Sequence, residues 1–78
     1  MQDILAKRLL KCREKTGLSR FKVAVQCGIT ERAYINYEMA DQEPLIGILA
    51  RMAEFYNVSI DYLVGLTDDP TPYPQRPE

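Results

Sequence analysis

A chain of 78 residues, 46% apolar and 27% charged, has the size and composition of one small globular domain. So short a chain buries little surface, and its core depends on efficient packing. It contains no histidine, which removes the commonest general base and the commonest metal ligand together. The net charge of −1 is unevenly spread: residues 1–30 carry seven cations against two acids, and residues 31–78 carry three cations against nine acids. That asymmetry presents a basic face to a partner, or else only a set of solvated helix faces.

Cys12 and Cys27 form no Cys-x-x-Cys pair and have no partner ligands, so neither a zinc site nor a disulfide framework is expected. No run of 18 apolar residues predicts a membrane span. Met1-Gln2-Asp3-Ile4 lacks the basic lead of a secretion signal. The expectation is a reduced, cytoplasmic protein that uses no metal and no cofactor.

Residues 3–15 place Ile4, Leu5, Leu9 and Cys12 at helical spacing, with Leu18 after the turn, and Gly17 stops this first helix. Ser19 caps a second helix, Arg20 to Cys27, whose inward face is Val23, Ala24 and Cys27. Gly28 ends it, because glycine accepts the left-handed backbone of a tight turn. Ile29 plugs the turn, and Thr30 caps a third helix, Glu31 to Glu38. Met39 to Pro44 is a loop. A fourth helix runs from about Ile46 to Tyr56, with Leu49, Met52, Ala53 and Tyr56 as its core stripe. Asn57-Val58-Ser59 breaks it, and Ile60 to Val64 forms a fifth, ended by Gly65.

Beyond Thr67, Pro70, Pro72, Pro74 and Pro77 forbid regular helix. The fold expected is all-α: a compact five-helix bundle over residues 1–66, then a proline-rich tail, residues 67–78, extended or disordered and dispensable for folding.

The informative stretch is Ser19 to Glu38, where two capped helices meet at Gly28-Ile29-Thr30. That is the arithmetic of a helix-turn-helix, whose second helix enters a DNA major groove. Eight helical residues span about 12 Å, which suits a groove about 12 Å wide.

Residues 5–66 resemble the phage repressor and Cro-like helix-turn-helix domain, the XRE family. The resemblance rests on Leu9-x-x-Cys12-Arg13-Glu14-Lys15-x-Gly17-Leu18-Ser19 and Val23-Ala24-x-x-Cys27-Gly28-Ile29-Thr30. It continues through Tyr34-x-Asn36-Tyr37-Glu38, Pro44, Leu49-x-x-Met52-Ala53 and Asn57-Val58-Ser59-x-Asp61-Tyr62-Leu63-x-Gly65. It implies a five-helix, lambda-repressor-like DNA-binding domain. The function implied is transcriptional regulation, commonly repression, by a homodimer on a palindromic operator in double-stranded DNA. The setting implied is a bacterial or phage-encoded protein, associated with the nucleoid when bound.

By the same resemblance, Glu31, Arg32, Ala33 and Asn36 read bases. The polar side chains suit that role, since arginine pairs bidentately with guanine, asparagine with adenine, and glutamate accepts from cytosine. Ser19, Arg20 and Thr30 fall at phosphate-binding positions, and Arg13 with Glu38 at a structural ion pair. Tyr34 and Tyr37 are expected to pack inward. A homodimer is expected to join around Tyr62, Val64 and Leu66, or through Phe21 and Val25.

Some positions depart from the family pattern. Arg20 stands where glutamine is usual, and Leu45 where a polar cap is usual. The loop after the third helix carries Asp41 and Glu43 instead of basic residues. Leu10, Phe21, Val25, Ile35 and Ile48 replace polar groups. Phe21 and Val25, one turn apart, share a face. An exposed apolar strip marks a partner surface, so the competing reading is a repressor-like module that binds another regulator or a toxin. No nucleophile–base pair or phosphate loop supports an enzyme.

Overall fold

The computed structural model describes residues 2–72. Five helices follow in order: α1 (Gln2–Thr16), α2 (Arg20–Cys27), α3 (Glu31–Glu38), α4 (Ile46–Tyr56) and α5 (Ile60–Val64). No strand occurs among the described residues. The architecture is all-α, as expected, and the elements lie where caps and glycines in the sequence place them.

The caps act through specific bonds. Ser19, Thr30 and Ser59 have extended backbones, and their hydroxyl oxygens accept from the backbone N–H groups of Lys22, Ala33 and Tyr62. Each bond satisfies one donor that the first helical turn leaves unpaired. Leu45, at the same position of α4, supplies no such bond. At Gly65 the backbone is left-handed (φ 87°), and a Cβ there would lie 2.9 Å from Ile4 Cγ2. Glycine therefore both turns the chain and lets α1 approach. Ala40 adopts φ 63° without that freedom, a strained state for an L-residue.

α1 packs on α3 and α5, α2 on α3 and α4, and α4 on α5. The shared core holds Leu5, Leu9, Cys12, Val23, Ala24, Cys27, Tyr34, Tyr37, Leu49, Met52, Ala53, Tyr62 and Leu63. Ile4, counted in the apolar stripe of the first helix, is 44% exposed and covers Gly65 from the rim. Tyr56 is half-buried, its hydroxyl 2.6 Å from that of Tyr34. Tyr62 is buried within the protomer, whereas Leu66 is exposed.

Both cysteines are free and buried. Burial pushes each thiol pKa up, against the opposing pull of Lys15, Lys11 and Arg8 on Cys12 and of Arg51 on Cys27. A bulky thiol reagent is therefore expected to label neither in the native state, and both in urea. Stoichiometric labelling of the native protein within minutes would contradict this packing.

The segment after α5 is fastened to the bundle. Arg8 donates from Nη1 to the carbonyls of Tyr62 (2.6 Å) and Thr67 (2.5 Å) and from Nη2 to Asp68 (2.7 Å). Its guanidinium lies 4.2 Å from the Tyr62 ring centre, a cation–π distance. Farther on, Pro70 C=O accepts from the Ser59 N–H. Residues 67–70 of the expected tail thus contact the bundle; residues 73–78 of that tail lie outside the described residues.

Candidate nucleic-acid interface

α2, the turn at Gly28 and α3 form the helix-turn-helix. Gly28 is left-handed (φ 71°), its N–H returning to Val25 C=O, and Thr30 restarts the helix three residues after Cys27. Tyr34 and Tyr37 root α3 in the core. Glu31 and Arg32 are exposed on its first turn, and Asn36 is half-exposed one turn later. Arg32 and Asn36, four residues apart, share a face. Asn36 also leans on Gln42, at 3.4 Å. Ala33 is half-buried and packs against the core edge, so at most part of its methyl group reaches outward.

The far end of α3 is held by one carboxylate. Arg13 grips Glu38 with two parallel bonds, Nε to Oε2 at 2.8 Å and Nη2 to Oε1 at 3.0 Å, while its Nη1 donates to Leu18 C=O at 3.2 Å. Arg20 adds a third bond, Nε to Oε1 at 2.8 Å. Burial alone would raise the Glu38 pKa, but hydrogen bonds from Arg13, Arg20 and Tyr34 outweigh it and hold the carboxyl below its ordinary value. Burial together with the bond to Tyr56 keeps Tyr34 neutral, its pKa pushed far up. The C-terminal end of α1, the N-terminal end of α2 and the last residue of α3 therefore meet at a single charged junction.

Arg20, read from the sequence as a phosphate ligand, spends its Nε on this junction. Its Nη nitrogens have no protein hydrogen bond among the described residues. The sequence concealed this contact because Arg20 stands 18 positions from Glu38. Ser19 and Thr30 are exposed, and their hydroxyl oxygens are engaged as caps, which leaves each O–H as a donor.

The basic half of the sequence does not form one face. Along α1, at 100° per residue, Arg13 points toward α3, while Lys7, Lys11 and Lys15 line up on the other flank. There, with Arg8, Tyr62, Asp68 and Pro70, they border a cavity of about 430 Å³. Around α3 the flanking charges are mixed. Arg32 stands on its first turn, whereas exposed Asp41 and Glu43 follow its end.

Capped helices joined by a left-handed glycine, with the second helix rooted by aromatic residues, define a helix-turn-helix domain, and the helix-turn-helix family model matches residues 9–63. The chain belongs to that family. Its relatives include the uncharacterized HTH-type transcriptional regulator YobD of Bacillus subtilis, 38% identical over 69 residues, covering 88% of this chain and 62% of that protein. The HTH-type transcriptional regulator ImmR of the same organism is 36% identical over 61 residues, covering 78% of this chain and 48% of ImmR. The SPbeta prophage-derived uncharacterized regulator YonR is 34% identical over 61 residues, covering 78% and 56%. The chain thus spans about half to three-fifths of the length of these relatives. No solved structure matches it.

No group of three or more His, Cys, Asp or Glu side chains able to hold a metal occurs among the described residues. No helix there is long and apolar enough to cross a membrane.

Proposed function

We propose that this domain binds double-stranded DNA sequence-specifically and regulates transcription, with α3 docked in the major groove. The observation that carries this reading is the mounting of α3. Its root is buried through Tyr34 and Tyr37 and its end is pinned by the Glu38 junction. Glu31, Arg32 and Asn36 are left on the accessible side. The names of YobD, ImmR and YonR as transcriptional regulators support it. Arg32 and Asn36 read base edges, while Ser19, Thr30 and the outer nitrogens of Arg20 meet phosphate. One such helix covers few base pairs, so the working form is a homodimer on a palindromic operator, with half-sites about 34 Å apart. Repression is the regulatory sense this reading favours, exerted in the cytoplasm on bacterial or phage DNA.

Selection from a random pool of duplex oligonucleotides supplies the test sequence. Arg32→Ala should then weaken the selected site by about 1–3 kcal/mol and relax preference at one base pair. Arg20→Ala should weaken all sequences alike and lower the salt slope by about 1. The two effects separate because counterion release follows charge neutralised, whereas discrimination follows base-edge geometry. If both folded variants bind selected and scrambled duplexes as the parent does, at two salt concentrations, the docking is wrong. The apolar groove beside α2 would then favour a protein-binding module instead.

A further inference from the structure

Two cavities run together on the flank of α1 opposite Arg13. The first, of about 430 Å³, is bordered by Lys7, Arg8, Lys11 and Lys15. Asp68 is the one acid among the described residues that line it. Four cations against one carboxylate leave a local excess of positive charge. Lys7, Lys11 and Lys15 are exposed, and none enters an ion pair among the described residues. They stand at every fourth position of one helix, a row about 12 Å long.

Asp68 already supplies this cavity with an anion. Its carboxylate accepts from Arg8 Nη2 at 2.7 Å, yet its side chain is 99% exposed. So well hydrated a group returns to water at little cost, and a stronger anion displaces it. Arg8 keeps its bonds to the Tyr62 and Thr67 carbonyls meanwhile, so the guanidinium stays in place.

The second cavity, about 290 Å³, shares Lys15, Tyr62 and Pro70 with the first. Here the lining changes character. Phe55, Tyr56 and Val58 give it an aromatic and aliphatic wall, and Lys15 is its only charged residue among those described. The half-buried Phe55 ring stands edge-on to Tyr56, their centres 5.2 Å apart. Asn57, exposed, adds a side-chain amide that both donates and accepts.

A small molecule that fills both cavities is anionic at one end and flat, with polar edges, at the other. A nucleobase has that flat face and those edges, and a triphosphate concentrates charge on linked oxygens. Lys15, common to both linings, meets the phosphates nearest the base, with Lys11, Lys7 and Arg8 beyond. An inorganic polyphosphate would leave the second cavity empty. A single carboxylate would meet little of the charge.

We propose that the joined cavities bind a purine nucleoside triphosphate, its phosphates on the α1 row and its base against Phe55. The site uses none of Glu31, Arg32 and Asn36, so it does not depend on the reading of α3.

Calorimetric titration of the full chain, without magnesium, tests it with adenosine triphosphate, guanosine triphosphate, inorganic tripolyphosphate and adenosine. At least one nucleotide should bind about fivefold or more tightly than tripolyphosphate, the low end of what base–aromatic stacking supplies. Adenosine should bind weakest. Lys11→Glu removes an attraction and adds a repulsion, and should weaken the nucleotide about tenfold. Asp68→Asn frees Arg8 of its competitor and should tighten binding by up to about fivefold, a gain that unfolding cannot imitate. Phe55→Leu should bring the nucleotide down to the level of tripolyphosphate and leave tripolyphosphate unchanged. Circular dichroism checks its fold; if it fails, Asn57→Gly, suited to φ 57° there, should likewise weaken the nucleotide alone. Absence of binding by both nucleotides, or equal binding of tripolyphosphate, would overturn the proposal. So would a short duplex that displaces the nucleotide and loses affinity equally on Lys11→Glu, which would make the row a DNA surface.

Discussion

Glu38→Ala is expected to destabilise the domain by about 3 kcal/mol, the low end of the cost of leaving a buried charge without its partner. Two guanidiniums lose their acceptor at once. Arg13, 18% exposed, bears most of the penalty, whereas Arg20, 38% exposed, recovers hydration. Arg20→Ala should accordingly cost no more than about 1 kcal/mol, since its half of the junction faces water. Glu38→Gln keeps an acceptor oxygen but loses the charge and should fall between these limits.

The pH dependence has a definite sign. The Glu38 pKa is lowered in the folded state, so its contribution is complete above the unfolded value of about 4.3 and fades as pH falls through the folded value. Urea unfolding at neutral and acidic pH measures both effects. A parent and a Glu38→Gln variant losing the same stability between the two conditions would remove the junction from the account of this fold.

Truncation after Leu66 should lower stability by about 2–3 kcal/mol, at about 1 kcal/mol for each ordinary hydrogen bond and more for those to charged groups. It removes the Thr67 carbonyl and the Asp68 carboxylate from Arg8, and the Pro70 carbonyl from the Ser59 N–H. Ser59 is buried, so the released donor is poorly placed to find water. Truncation after Pro72 keeps every one of these contacts and should melt close to the parent. Arg8→Ala should reproduce most of the first loss, because it deletes three hydrogen bonds and the stacking on Tyr62. Thermal melts of the three variants decide the matter. Equal melting temperatures for the Leu66 truncation and the parent would mean that the fastening carries no stability.

The five helices were legible because each is delimited by local chemistry. Ser19, Thr30 and Ser59 announce starts, and Gly28 and Gly65 announce stops that only a left-handed residue satisfies. The exposure of Arg32 follows from the same register, since Tyr34 and Tyr37 must point inward. What stayed hidden depends on distance through space. Nothing in the chain marks Arg20 as a partner of Glu38, or the Tyr34 hydroxyl as a partner of Tyr56. The fastening of residues 67–70 was missed for another reason: irregular backbone has no period to read, and Arg8 looks like one more cation among Lys7, Lys11 and Lys15. The division of basic charge between two flanks could have been found. Arg13 and Lys11 lie nearly opposite on a helical wheel, so their charges could never have summed on one face.

The pairing of α1 with α5 has a consequence for how the chain matures on the ribosome. α1 is made before α5, one of the helices it packs on, with Arg8 and Thr67 separated by 59 positions. Until α5 emerges, Leu5 and Leu9, which are almost fully buried in the finished domain, lack part of their cover. At about 5–20 residues per second, that interval lasts several seconds. During it α2, α3 and α4 can associate through contacts nearer in sequence, which close sooner. Synthesis therefore completes the helix-turn-helix pair before the bundle that locks it, and a stalled chain ending within α5 presents a sticky, unfinished surface to chaperones and proteases.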